Sequence, residues 1–161
     1  MGAPKGKKPV IIGILFIILG ILVCYFLYIS PWIKRMRYPL KYEKEIKEYS
    51  AEYSIDPYLV SSIIWTESRF VPDAVSGRDA RGLMQLLPTT AAWAAEKMDL
   101  EDFEEAMLLD PKVNIRIGCW YLSYLSAQFP GSHEVVLAAY NGGMGNVRKW
   151  LQNEDYSGDG Q

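Results

Sequence analysis

One carboxylate stands out by the company it keeps. Glu67 sits near the end of SSIIWTES, residues 61–68, and counting back by three and four meets Ile64, Ile63 and Val60. On a helix those residues share one face, so the acid lies on the side that turns toward a core. Burial disfavours the ionised form of a carboxyl, and a carboxyl that keeps its proton near neutral pH can serve as a general acid. The plainer reading is a glutamate in a last helical turn that points to water. Two further segments place polar groups in apolar settings. ARGLMQLLP sets the amide of Gln85 among apolar residues just after Gly82, and LAAYNGG ends a small-residue helix with a phenol, Tyr140, and an amide, Asn141. Gln85 also reads as a loop hydrogen bonder, Tyr140 as the edge of a core and Asn141 as a helix cap before glycine.

Other chemistries lack parts. His133 is the single histidine, which leaves zinc clusters and a Ser-His-Asp triad incomplete. GGMGN has neither a preceding strand nor the glycine spacing of a nucleotide loop. The acids at 101–105 do not follow a calcium-loop pattern and read as a solvated helix face. No metal and no cofactor is expected. Asp73 and Asp79 share a loop with Arg69, Arg78 and Arg81, and these read as solvated ion pairs rather than a second catalytic acid. Cys24 and Cys119 lie in different settings and are not expected to pair; Cys119 reads as a small buried hydrophobe.

The elements that must position these groups are mostly helical. Residues 42–53 alternate charge and aromatics at helical spacing, with Lys44–Glu48 and Glu45–Tyr49 as surface pairs. Asp56 and Pro57 form a cap and first turn that lead into the helix carrying Glu67. RFVPDAVSGRDARG is loop chemistry. LMQLLPTTAAWAAEKM predicts a helix with Pro88 near its start, and DLEDFEEAML a short acidic one. Asp110–Pro111 repeats the cap signal and opens the longest helix, ended by Pro130 and Gly131. Ser132 caps HEVVLAAYN, and GNVRKWLQN predicts a last turn or two. Strand signals are almost absent.

Charge divides the chain. Residues 1–41 hold seven Lys/Arg and no acid, whereas residues 42–161 hold nineteen acids against ten bases, a balance of −9. An acidic body does not suit nucleic acid. Residues 10–29 are twenty uncharged residues, long enough for a hydrocarbon core of roughly 30 Å. No small-residue cleavage pattern follows, and Cys24 lacks the small residue that a lipoprotein signal needs before it. A single uncleaved transmembrane helix is therefore expected. Lysines before the span and basic residues after it nearly balance, so charge does not orient it. The expected organisation is a basic flank (1–9), a membrane anchor (10–29), a juxtamembrane linker (30–41) with Trp32 and Tyr38, and a helical domain (42–161).

Taken together, TESRFVPDAVSGRDARGLMQLLPTTA, DPKVNIRIGCWYL and LAAYNGGMGNVRKW resemble the successive motifs of the lytic transglycosylase catalytic domain, in the soluble group of the goose-type lysozyme superfamily. The resemblance runs from about residue 41 to 150, in order and at compatible spacing. It implies a mainly α, lysozyme-like fold acting on peptidoglycan glycan strands, at the bond from N-acetylmuramic acid to N-acetylglucosamine, with a 1,6-anhydro product. By position it implies Glu67 as the catalytic acid. Ser68, Ser76, Met84, Gln85, Tyr140 and Asn141 are implied as substrate contacts. The resemblance says nothing about the span; the location of the implied substrate puts the domain outside the cytoplasm, with the expected single-pass anchor in the cell membrane. A hydrolytic muramidase is the enzymatic alternative and a non-catalytic glycan-binding module the other. Leu87 stands where relatives often have methionine, a mild change in volume. The family's further E-T-x-x-Y-V segment has no counterpart before Gln161, so either the domain is shortened or the sequence is truncated there.

Overall fold

A computed structural model describes residues 7–29 and 41–153. The start of the basic flank (1–6), nearly all of the linker (30–40) and the polar tail (154–161) lie outside the described residues. The chain divides into two units, one up to Lys41 and one from Tyr42.

In the first unit, helix α1 (Lys7–Cys24) continues into a π-helical turn (Tyr25–Ile29). Its side chains over residues 12–28 are all exposed, Phe16 and Tyr28 most of all at 71%. Among the described residues no helix is long and apolar enough to cross a membrane.

The second unit is helical, and its elements begin where local chemistry prescribes. Helix α2 spans Glu43–Glu52. Its surface ion pair joins Lys47 to Glu43. Tyr49, expected on the surface beside Glu45, is instead 4% exposed and belongs to the core. Helix α3 (Pro57–Ser68) starts as predicted, the Tyr58 N–H donating to Asp56 Oδ1 at 2.8 Å, with Pro57 in the first turn. Helix α4 covers Pro88–Lys97. The predicted helical start at residue 83 is not seen. Residues 83–87 form a turn in which Gln85 has a left-handed φ of 48°, which no α-helix accommodates. The acidic stretch near 101 yields only a 3₁₀ turn, Glu105–Leu109. Helix α5 (Pro111–Gln128) is capped by Asp110, whose Oδ1 accepts from the N–H groups of Lys112 and Val113. Helix α6 (His133–Gly142) is capped by Ser132, and α7 covers Met144–Leu151. Strand pairing among the described residues is confined to isolated bridges, Val75 with Arg81 and Arg81 with Leu86.

Helix α5 is the central element, packing on α2, α4, α6 and the 3₁₀ turn. Ile115, Ile117, Cys119, Leu122 and Leu125 are fully buried along it, with Val60 and Ile64 of α3 in the same core. Burial pushes the Cys119 thiol up to about 12, so it is an inert hydrophobe, as read from the sequence.

One polar side chain sits in that core, and it holds the loop before α4. Asn114 is 0% exposed. Its Oδ1 accepts from the Met84 N–H at 2.7 Å, and its Nδ2 donates to the carbonyls of Arg81 and Leu108, both at 2.9 Å. Gly82 makes this approach feasible. Its φ is +77°, and a Cβ there would lie 2.1 Å from the Leu108 carbonyl oxygen and 2.3 Å from Asn114 Nδ2. One turn along α5, a Cβ on Gly118 would lie 2.2 Å from Met84 Sδ, so that glycine receives the methionine side chain.

Asn114→Ala removes the partners of one N–H and two carbonyls together. A loss of about 3 kcal/mol in unfolding free energy is expected from urea denaturation, and a loss below about 1 kcal/mol would show that the loop is held elsewhere.

Candidate active site

Helix α3 ends abruptly behind Glu67. Arg69 and Phe70 both adopt left-handed φ, 52° and 61°, a costly arrangement for two successive non-glycine residues and one that recurs at functional sites. Phe70 is held by burial, at 4% exposure. Arg69 lies over the ring of Trp65, its Cζ 4.9 Å from the centroid. This termination leaves Glu67 half-buried at the edge of a cleft of about 380 Å³.

The cleft gathers residues far apart in sequence. Glu67 is lined up with Ser76 and Arg78 of the loop after α3 and with Gln85 and Leu87 before α4. Thr90 of α4, Tyr121 of α5, and Tyr140 and Asn141 of α6 complete the wall. Among the described lining residues Glu67 is the only acid, and burial alone raises its carboxyl above the ordinary range. The chemical reading of the acid on the apolar face therefore agrees with its environment.

Tyr140 stands near it. Its hydroxyl donates to the Met84 carbonyl at 2.7 Å. Burial, followed by the charge of Glu67, holds the phenol well above its usual value, so it stays neutral. Gln85 is the loop hydrogen bonder that one of its sequence readings gave. Its Nε2 donates to the carbonyls of Ala74 and Gly82 at 3.0 and 2.9 Å, which fixes the loop, while the side chain still lines the cleft. Asn141 Nδ2 donates to the Leu137 carbonyl at 3.0 Å, within its own helix. It does not end α6, which runs on to Gly142. Ser76 Oγ accepts from the N–H groups of Arg78 and Ala80. The Tyr140 hydroxyl, both N–H groups of the Gln85 amide and one N–H of Asn141 are thus turned onto the backbone, while the Arg78 guanidinium and the hydroxyls of Ser76, Thr90 and Tyr121 line the same cleft.

Two of the expected contact residues lie elsewhere. The side chain of Met84 is 0% exposed against Gly118, so only its backbone carbonyl serves the site, by holding Tyr140. Ser68 is buried, and its Oγ donates to the Ile64 carbonyl at 3.1 Å, one turn back in α3. The reading of the loop arginines also needs correction. Only Arg81 pairs with Asp79, while Arg69 lies over Trp65 and Arg78 lines the cleft.

Tyr121, Thr90 and Asn114 were missed by motif reading. Asn114 had a detectable signal, an amide inside the apolar run VNIRIGC four residues before a glycine. Beyond Thr90 and Tyr121 the cleft adjoins a second hollow of about 260 Å³, lined also by Thr89, Trp93, Tyr124 and Met144. There the Trp93 ring meets Tyr124 edge-on at 4.9 Å and Trp120 at 5.4 Å. Among the described residues no group of three or more His, Cys, Asp or Glu is gathered where it could hold a metal ion.

Comparison with known proteins adds family information to this geometry. The transglycosylase SLT domain family matches residues 44–160. The soluble lytic murein transglycosylase of Escherichia coli K12 is 37% identical over 118 residues, which is 73% of this chain and 18% of that protein. Membrane-bound lytic murein transglycosylase C of Yersinia enterocolitica is 36% identical over 123 residues, 71% of this chain and 34% of that one. Among solved structures, an inactive glutamate-to-glutamine mutant of lytic transglycosylase Slt from Pseudomonas aeruginosa aligns with a TM-score of 0.69 at 35% identity, covering 74% of this chain and 19% of that chain. The chain thus spans about a fifth of the soluble relatives' length.

The burial of Glu67 has a measurable consequence for stability. A carboxyl whose folded pKa is raised binds its proton more tightly folded than unfolded, so stability falls as pH rises from the ordinary carboxylate value through the raised one. Glu67→Gln, which cannot ionise, should therefore resist urea better than wild type at neutral pH. The difference should vanish below about pH 4, where the unfolded carboxyl is also protonated. Equal stability at both pH values would mean the carboxyl is fully hydrated.

Proposed function

The chain belongs to the transglycosylase SLT domain family, and from that premise we propose that it is a membrane-anchored lytic transglycosylase that cuts peptidoglycan strands and leaves 1,6-anhydromuramyl ends. The observation that carries this reading is a single half-buried carboxyl in a cleft with no second acid among the described lining residues.

Most glycosidases use two carboxylates, one on each side of the bond. One is enough when the sugar supplies its own nucleophile. The neutral Glu67 carboxyl protonates the oxygen of the bond between N-acetylmuramic acid and N-acetylglucosamine, and the carbon–oxygen bond breaks. The carboxylate so formed takes the proton of the muramyl 6-hydroxyl while that oxygen bonds to the anomeric carbon. Glu67 is neutral again, and no water is consumed. Ring closure within one sugar gains the advantage of intramolecular attack.

Two oxygens of the wall suit this chemistry. Positive charge develops on the sugar ring in the transition state, and the oxygens of Tyr140 and Gln85 are available to it or to the acetamido N–H. Ser76 and Asn141 line the same wall, and the aromatic hollow around Trp93 extends the cleft in a way that suits a polymer rather than a single sugar. The inactive glutamate-to-glutamine mutant of the Pseudomonas aeruginosa relative supports a mechanism that depends on one glutamate.

In this reading the anchor is residues 10–29, on the strength of their twenty uncharged residues and the exposed apolar side chains over 12–28, although no helix among the described residues is by itself long and apolar enough to cross a membrane. Because the substrate lies outside the cytoplasm, the domain does too. A membrane-bound relative in Yersinia enterocolitica is compatible with that location.

Detergent-solubilised full-length protein incubated with cell-wall sacculi should release muropeptides with anhydro-muramyl ends. Reducing ends alone would make it a hydrolytic muramidase instead. Glu67→Gln should lower turnover by about 10²–10⁴-fold while strand binding persists, and equal lysis by mutant and wild type would remove Glu67 from the mechanism.

A further inference from the structure

The domain that would receive a strand is acidic, with nineteen acids against ten bases over residues 42–161. Its cleft contains one cation among the described lining residues, Arg78. A tightly bonded turn sets its position. The Ser76 N–H donates to the Ala80 carbonyl at 2.9 Å and the Asp79 N–H to the Ser76 carbonyl at 3.0 Å. Ser76 Oγ accepts from the N–H groups of Arg78 and Ala80 at 3.3 and 3.0 Å. The exposed Arg78 side chain therefore projects from a constrained backbone.

The adjacent acid is engaged elsewhere. Asp79 takes a left-handed φ of 62°. Its two carboxylate oxygens accept from Arg81 Nε and Nη2 at 3.0 and 3.1 Å. Arg81 also reaches Glu105 at 3.4 Å. Among the described residues no ion pair joins Arg78 to a carboxylate. The cleft's own acid is not its partner either, since burial alone accounts for the raised carboxyl of Glu67.

We infer that Arg78 is a specificity-determining residue that recognises a carboxylate carried on the muramyl substituent of the strand. The inference rests on the glycan-cleaving reading of the cleft. A body of net negative charge repels a strand that bears carboxylates, and a guanidinium at the point of entry reverses that repulsion locally. The planar fork of arginine matches a carboxylate with two parallel hydrogen bonds. Two sources supply such a group: the lactyl carboxylate of a peptide-free strand, and the carboxylates of an attached peptide.

Binding separates these cases without turnover. Full-length protein carrying Glu67→Gln, with Arg78 or with Arg78→Gln, is titrated with peptide-free strands, with peptide-bearing strands, and with both after their carboxylates are converted to amides. Arg78→Gln should weaken binding of a carboxylate strand about fivefold at low salt, and Arg78→Lys, which keeps the charge but not the fork, should restore only part of it. Amidation should weaken the Arg78 protein by a similar factor and abolish the difference between variants. The strand that shows the difference identifies the source. Equal binding by Arg78 and Arg78→Gln proteins on both carboxylate strands would overturn the inference. So would an equal loss on carboxylate and amidated strands at an unchanged melting temperature, or no binding of any strand. Uncut sacculi with unaltered Glu67 would count against the catalytic reading alone, because the binding difference is read independently of it.

Discussion

A single buried amide organises the half of the domain that bears the cleft. Asn114 projects from α5 and ties together the Met84 N–H and the carbonyls of Arg81 and Leu108, so the turn before α4 and the 3₁₀ turn are both referred to one helix. Leaving any of these groups without a partner in the core carries a desolvation cost, which is why the turn cannot drift. The effect extends outward. With Met84 fixed, its carbonyl receives the Tyr140 hydroxyl, and α6 is drawn to the same point. Gln85 is held in a left-handed conformation and secures the loop through Ala74 and Gly82. Gly82 and Gly118 are the spaces that permit this packing.

The electrostatics of the cleft follow from that frame. Glu67 loses water without gaining an ion-pair partner, so its neutral form is favoured, against the stability of the fold at neutral pH. The Tyr140 hydroxyl and the Gln85 amide, which could otherwise stabilise a carboxylate, donate to backbone carbonyls instead. Their oxygens line the cleft beside an acid that favours its proton. Left-handed Arg69 and Phe70 show that the chain accepts strain to end α3 just beyond the acid.

Much of this was legible in the sequence, for identifiable reasons. Caps are local events, so Asp56, Asp110 and Ser132 announced their helices correctly. The apolar face beneath Glu67 follows from period alone, and Val60, Ile63 and Ile64 are all buried. The errors arose where tertiary bonds override periodicity. LMQLL has helical spacing, yet Asn114 and Gln85 hold it as a turn. Met84 and Ser68 belong to motifs, but motif membership does not say which way a side chain points, and both point inward. Charge content likewise could not tell that Asp79 would pair with Arg81 and leave Arg78 facing the cleft.

By itself the sequence determined the helical class, the family and the acid on the apolar face, because these depend on spacing, caps and composition along the chain. Tertiary structure alone decided that Glu67, Gln85, Tyr121 and Tyr140 meet around one cleft, that the amide donors turn away from it, and that Arg78 enters it. The meeting of the helices around the cleft depends on partners far apart in sequence, as Tyr140 and Met84 are, whereas the Gln85 and Asn141 amides find carbonyls nearby in the chain. A hydrogen bond of the distant kind is made by the packing of helices, and no local pattern records it.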